Sequence, residues 1–274
     1  MIPDVDRVGS TVVCAMGPGY AGRAGAPTAP GGRADARWHT ADVTADALER
    51  LLRAATDPRG RGPLPWAAAP IREAGRVLDL RCGSGAIAGE LAPGAWVGMD
   101  ATAAVDGRSP RLRASDTAVP IRTNGVDAVC MILTLPRMAH VDDVFAEIRR
   151  VLRPGGTLVV VVPSVTVRSW TELQLAHLLQ PVRRGPWRNR SGLDSAGWLL
   201  AAADFAVLGD DRVPFALPLP DADSVLQAVT DLPAAGLWPD LPVHVLEQLT
   251  SELIRRTGPD RVLPLPLRRL VARR

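Results

Sequence analysis

The chain has 274 residues, 47% of them hydrophobic, with 32 basic against 29 acidic side chains. That balance excludes wholesale disorder and supplies a sizeable core, within the size range of one decorated α/β domain. A formal net charge of +3 does not by itself argue for nucleic acid, and the basic residues are all arginine, which beside 25 Gly and 25 Pro reads first as a coding bias.

Taken in chain order, residues 1–36 carry little pattern. The stretch Gly17–Arg33 is dense in Gly, Ala and Pro and predicts a loose arm or lid. The start, Met1-Ile2-Pro3-Asp4, shows no signal peptide. Ala47, Leu48, Leu51, Leu52 and Ala55 recur at helical spacing and predict a helix from about Thr44 to Ala55. Asp57–Pro65 breaks it, and Trp66–Ala74 reads as a second short helix. Five strand-like runs come next: Val77–Leu80, Trp96–Asp100, Arg111–Ala114, Val126–Ile132 and Thr157–Val162. Helices are expected near 86–92 and 141–152, the second ending at Arg153-Pro154-Gly155-Gly156. Near-continuous aliphatic strands alternating with helices predict a mostly parallel sheet covered on both faces. Beyond Pro163 the expected order is a helix near 169–180, the basic loop Arg183–Arg190, a helix near 193–203 and a strand near 205–217. Helices near 221–231 and 241–256 and a last strand near 261–272 complete the chain. Pro264 and Pro266 remove donors from one edge of that last strand, so this part either has one unpaired side or the strand is shorter than 261–272.

Cys14, Cys82 and Cys130 show neither disulfide nor metal spacing, which suits a reducing, cytoplasmic setting. The longest aliphatic run, Leu158–Val162, is far short of the roughly 18 residues a membrane span needs.

The chemistry concentrates in Arg76–Gly85 and in the strand ends beyond it. A short buried strand ends at Asp79, and Gly83 and Gly85 let the next turn bend sharply and approach a ligand closely. A helix after the turn would offer free N–H groups to an anion. Asp100 ends the next strand, 21 residues after Asp79, where a carboxylate is placed to hold two ribose hydroxyls or to cap a helix. Asp116, in Ala114-Ser115-Asp116-Thr117, comes after the third strand. Met131, Ile132 and Leu133 end the fourth, ahead of His140.

With these motifs in this order, residues 75–163 resemble the class I S-adenosylmethionine-dependent methyltransferases. Within them the likeness is to the small-molecule type, methyltransferase type 11, which carries V-L-D-L-G-C-G-x-G and L-R-P-G-G. The resemblance implies a Rossmann-like, doubly wound, mostly parallel seven-stranded α/β sheet with an antiparallel final strand and helical additions. It divides the chain into an N-terminal arm and helix, 1–65, and a methyltransferase-like domain, 66–274, with a cofactor half at 75–163 and a variable, substrate half at 164–274. It implies S-adenosyl-L-methionine as cofactor. Asp79, Arg81, Cys82, Gly83 and Gly85 would hold its aminoacyl end. Asp100 and Ala101 would meet the ribose, Ser115, Asp116 and Thr117 the adenine, and Met131, Ile132 and Leu133 the sulfonium and substrate.

Two features depart from the family. Arg81 stands where Gly is usual, so a charge and a β-carbon enter a position that can demand positive φ. Its partner would be Asp79 or the cofactor carboxylate, or else it blocks the pocket. The segment Ala101–Pro110 leaves little room for the usual second helix. His140 is the best-placed base if the nucleophile is a hydroxyl, and its plain alternative is a helix cap or packing role. Trp38, Trp170, Trp187, Trp198 and Trp238 either line an apolar substrate pocket or pack in the core. No metal-ligand cluster and no Asn-Pro-Pro-aromatic motif is present. The leading expectation is therefore methyl transfer to oxygen, nitrogen or carbon of a small molecule, with no membrane partner and with a homodimer left open. A catalytically degenerate binding or partner protein on the same fold is the first alternative. An RNA methyltransferase, suggested by the Arg-rich loop, is the second, with nucleic acid otherwise not expected.

Overall fold

The computed structural model describes residues 46–101, 110–167 and 169–274. The arm expected over 1–36, Cys14, Trp38, His39, the start of the helix expected from Thr44 and most of Ala101–Pro110 lie outside the described residues.

Seven strands form one sheet: β1 (Val77–Leu80), β2 (Trp96–Asp100), β3 (Arg111–Arg113), β4 (Val126–Ile132), β5 (Leu152–Pro163), β6 (Ala206–Pro218) and β7 (Val262–Arg273). Their spatial order is β3-β2-β1-β4-β5-β7-β6. The first five run parallel, and β7 is antiparallel to both β5 and β6. This is the doubly wound sheet with an antiparallel final strand that the family resemblance implies.

Both faces are covered because side chains alternate along each strand. Val77, Ala128, Cys130, Val159 and Val161 point to one face. There they meet α1 (46–54), α2 (Pro63–Ala68), α8 (Ala222–Ala234) and α9 (Val243–Ile254). Leu78, Leu80, Val129, Met131, Val160 and Val162 point to the other, against α3 (Val141–Val151) and α7 (Ala196–Ala202). Helix α3 has apolar residues at Val144, Phe145, Ile148 and Val151, all fully covered, and charged residues opposite. Burying a side chain such as Phe145 contributes roughly 2–3 kcal/mol. Leu51 and Leu52 of α1 share the first core, so this helix is packed onto the sheet.

The two prolines of β7 fall where the sheet tolerates them. Strand β5 pairs β7 only from Leu267 to Arg273, whereas β6 continues alongside to Val262. Pro264 and Pro266 therefore sit on a stretch whose β5 side has run out, as the missing donors require.

Several expected elements change. The helix expected over 86–92 is only a short 3-10 turn, Ala88–Glu90. Leu91 is already extended there, and Pro93 disfavours helix at residue 92. Fewer than two turns cannot sustain a helix alone, so no helix N-terminus faces the glycine turn. The helix expected over 169–180 divides into α4 (Trp170–Gln174) and, after a turn, α5 (Gln180–Arg184), which Pro181 opens. The helix expected over 193–203 divides at Ser195 into α6 (Ser191–Asp194) and α7. Arg153–Gly156 is not a separate turn but a bulge in β5: Val126 pairs with Leu152 and Ala128 already pairs with Thr157.

Arg150 of α3 fixes the crossing that leads into β4. It donates to Ile121 O at 2.7 Å, to Val119 O at 2.8 Å and to both oxygens of Glu147, which in turn accepts from Val119 N. Replacing Arg150 by Ala strands two carbonyls and a carboxylate, and should cost about 1–3 kcal/mol in urea denaturation. Arg53→Ala, which breaks only an exposed pair with Glu49, should stay within about 0.5 kcal/mol.

Candidate functional site

The carboxyl ends of β1, β2, β3 and β4 open into a cleft of about 1310 Å³. Its floor is set below the glycine turn. Asp79 points to the same face as Val77 and has Gly98 and Cys130 as its strand neighbours. Because Gly98 has no side chain, the Trp96 indole can lie across it. A Cβ at Gly98 would come within 2.6 Å of that ring and 2.7 Å of the Cys82 sulfur. The indole N–H then donates to Asp79 at 3.1 Å, and the Cys130 thiol donates from the other side at 3.5 Å. Asp79 is almost fully buried. Burial raises its carboxyl to about 6, against the pull of those two hydrogen bonds. Burial also pushes the Cys82 thiol up to about 12 and holds Cys130 well above the ordinary thiol range, which favours the protonated thiol at both.

The turn above is tight. Gly85 N donates to Cys82 O at 2.8 Å, and both Gly83 and Gly85 have positive φ. Arg111, at the start of β3, donates to Gly83 O at 3.0 Å and to Ser84 O at 2.5 Å. Its guanidinium stands 5.8 Å from the centre of the Trp96 ring. Its Nε is buried without a hydrogen-bond partner, as is Thr134 Oγ1 on the cleft wall. Asp100 reaches the turn from β2 and accepts from Gly83 N at 3.4 Å.

Arg81 adopts φ of 58°, the left-handed conformation that makes the position unusual for Arg. Its charge does not meet Asp79: the side chain crosses the cleft to Asp116, Nε donating at 2.7 Å. Leu133, at the end of β4, is also left-handed, with φ of 59°. Two left-handed non-glycine residues thus stand at the ends of adjacent strands, both on the cleft wall.

Of the residues expected there, Arg81, Gly83, Asp100, Ala101, Ser115, Asp116, Ile132 and Leu133 line the cleft. Asp79 and Cys82 lie beneath it, and Gly85 is screened by Trp96 and Arg111, within 3.4 Å of where its Cβ would stand. Thr117 is exposed and bonds Ser115. Met131 turns to the α3 face, because strand alternation sends it opposite to Ile132. His140 is exposed at the N-terminus of α3 and lines a small side cavity of about 160 Å³ instead. Trp187 and Trp238 line the cleft, whereas Trp170 and Trp198 are exposed elsewhere. Sequence reasoning missed Arg111, Arg137 and Asp240. Arg111 and Arg113 flank Leu112 in a strand otherwise apolar in kind, a charge pattern that marks a strand end facing a polar site. Arg137 and Asp240 carry no local signal. Asp46 and Leu48 of α1 also reach the wall, and Arg50 secures that helix by a two-pronged contact with buried Asp231 of α8.

Residues 78–160 match a family model described as a methyltransferase domain. The ubiquinone/menaquinone biosynthesis C-methyltransferase of Burkholderia mallei is 29% identical over 137 residues, 44% of this chain and 55% of that protein. The Burkholderia thailandensis protein matches to the same extent. The chain thus spans about half the length of the curated relatives it matches. Among solved structures, the [4+2]-cyclase SpnF superposes with a TM-score of 0.52 at 19% identity, over 92% of this chain and 99% of that one. A Bacillus halodurans protein assigned as a methyltransferase gives 0.51 at 16%, over 77% and 98%. These two likenesses establish the fold alone.

The buried Asp79 carries a pH signature. Its folded-state value, about 6, lies above the ordinary 3.8, so folding favours the protonated form. The stability this contributes is complete below about pH 4 and is lost as pH rises through 6. Relative to Asp79→Asn, which does not titrate, the wild type should lose about 2–3 kcal/mol between pH 4 and 7. A difference between the two proteins that stays flat across that range, measured by urea denaturation, contradicts the assignment.

Proposed function

We propose, on the premise that the chain belongs to the class I S-adenosylmethionine-dependent methyltransferase family, that it transfers a methyl group to a small-molecule acceptor. The observation that carries this reading is the convergence of four strand ends on one cleft. The glycine turn, Asp100, Asp116 and the Ile132–Leu133 seam all face it.

The residues present fit S-adenosyl-L-methionine. Asp100 is an acid beside the turn, suited to a ribose diol. Ile132 and Leu133 give an apolar wall. Arg111 brings a cation to the glycine turn, the side on which the methionine carboxylate would lie. When bound, the cofactor supplies a methyl group already activated by the positive sulfonium. The chain then contributes alignment and exclusion of water. The Trp187 and Trp238 side form the acceptor wall, and α1 covers the mouth with Leu48. His140 is the one histidine among the described residues that lines either cavity. This reading gives it the proton-accepting role if the acceptor is a hydroxyl.

One observation favours a second reading, a binding protein without methyl transfer. Arg81 holds Asp116, the acid expected to meet the adenine, and Arg111 covers the loop carbonyls. The RNA reading gains no such support. Arg190 pairs with Asp194, Arg274 reaches Asn124 and Leu152 O, and Arg188 lines the cleft.

Calorimetric titration with S-adenosylhomocysteine should show saturable binding to the wild type. Asp100→Ala should weaken it by about 10–100-fold, through the lost charged hydrogen bonds. Wild-type protein that shows no heat at millimolar ligand ends the methyltransferase reading.

Arg81→Gly separates the two readings. It relieves the left-handed strain and frees Asp116 from a partly exposed ion pair. Affinity should therefore rise only about two- to fivefold, since such a pair is worth at most about 1 kcal/mol. Affinity that exists only in Arg81→Gly instead identifies a degenerate pocket.

A further inference from the structure

The cleft continues into the small side cavity where Arg81, Asp116, Arg137 and Arg188 are shared between the two. Three guanidiniums and one carboxylate meet there, and the carboxylate is already taken by Arg81. Arg137 and Arg188 make no ion pair among the described residues. Arg188 comes from the turn after α5, and its neighbour Trp187 lies on the cleft wall.

Arg137 is held in place by the backbone. It donates to Ala234 O at 3.1 Å, at the end of α8. The next turn carries Gly236 in a left-handed conformation, where a Cβ would come within 2.6 Å of the Arg137 side chain. A glycine thus makes room for this arginine. Burial lowers its hold on the proton and Arg81 adds to that, with Asp240 opposing. A guanidinium positioned on the cleft wall without an ion-pair partner among the described residues is the group that an anion completes.

The apolar wall adjoins this charge. Pro186, Trp187, Trp238 and Pro239 lie on the cleft beside Arg137 and Arg188. We propose that the acceptor is an apolar molecule bearing a carboxylate or phosphate, and that Arg137 and Arg188 bind that anionic group. Its apolar body lies against Trp187 and Trp238. The inference rests on the methyl-transfer reading only in calling the ligand an acceptor, because the anion selectivity stands on the arginines themselves. Planar guanidiniums match either oxyanion in two-pronged geometry, so carboxylate and phosphate are separated by direct comparison.

The test titrates the full chain, with and without S-adenosylhomocysteine, with benzoate, phenyl phosphate and the uncharged benzamide. At least one anion should bind saturably, tenfold or more tighter than benzamide. Its affinity should fall at least tenfold in Arg188→Gln and in Arg137→Gln. The benzoate and phenyl phosphate arms report which oxyanion the pair prefers. Arg188 is exposed and bonds no backbone group among the described residues, so its variant reads binding even if Arg137→Gln unfolds. The S-adenosylhomocysteine affinity of Arg188→Gln should stay within threefold of the wild type. Benzamide binding as well as the anions, or neither anion binding, overturns the proposal. So does a parallel loss of S-adenosylhomocysteine affinity, which would give the arginines to the cofactor carboxylate. Anion binding that survives while S-adenosylhomocysteine fails to bind supports this inference and sinks the methyl-transfer reading alone.

Discussion

The site depends on one buried contact, the Trp96 indole donating to the Asp79 carboxylate across the gap left by Gly98. A carboxylate under a strand end is costly unless its oxygens are hydrogen-bonded. Here one oxygen takes the indole and the other the Cys130 thiol. The indole can reach only because Gly98 is bare, and the same ring then limits how closely Gly85 can approach. The glycine turn is thus laid over a fixed floor. Arg111 closes it from above by holding two of its carbonyls. The position of the turn, and through it that of Asp100, is set by this stack of side chains. No helix stands behind the turn to hold it by other means.

Much of this is legible in the sequence. Aliphatic runs ending in an acid or in a seam such as Ile132–Leu133 place four strand ends side by side, and their alternation with helices dictates the parallel order. The paired prolines of the last strand announce a missing partner, and β5 stops where they begin. What the sequence does not carry is long-range pairing. Arg81 and Asp116 are 35 residues apart, and nothing local at either position names the other. The guanidinium of Arg111 and the Ala234 carbonyl that holds Arg137 are settled by tertiary packing in the same way. The helix expected at 86–92 is lost for a local and visible reason: the Pro93-Gly94 pair cuts it short, overriding the familiar strand–turn–helix order.

Arg81 shows how a fold absorbs a substitution at a position that favours glycine. The backbone keeps the left-handed turn, and the added side chain is drawn off by an acid on the far wall. The cleft stays open, and Asp116 is paired with Arg81 beside Arg137 and Arg188. The likeness to a [4+2]-cyclase as well as to methyltransferases fits a scaffold whose chemistry is decided by such wall residues rather than by the sheet.

The most direct measurement is a crystal structure of the chain with S-adenosylhomocysteine. The ligand is predicted in the large cleft, its ribose hydroxyls on Asp100 and its carboxylate on Arg111, with Trp96 still bonded to Asp79. A ligand bound elsewhere, or a cleft that stays empty at saturating ligand, contradicts this arrangement.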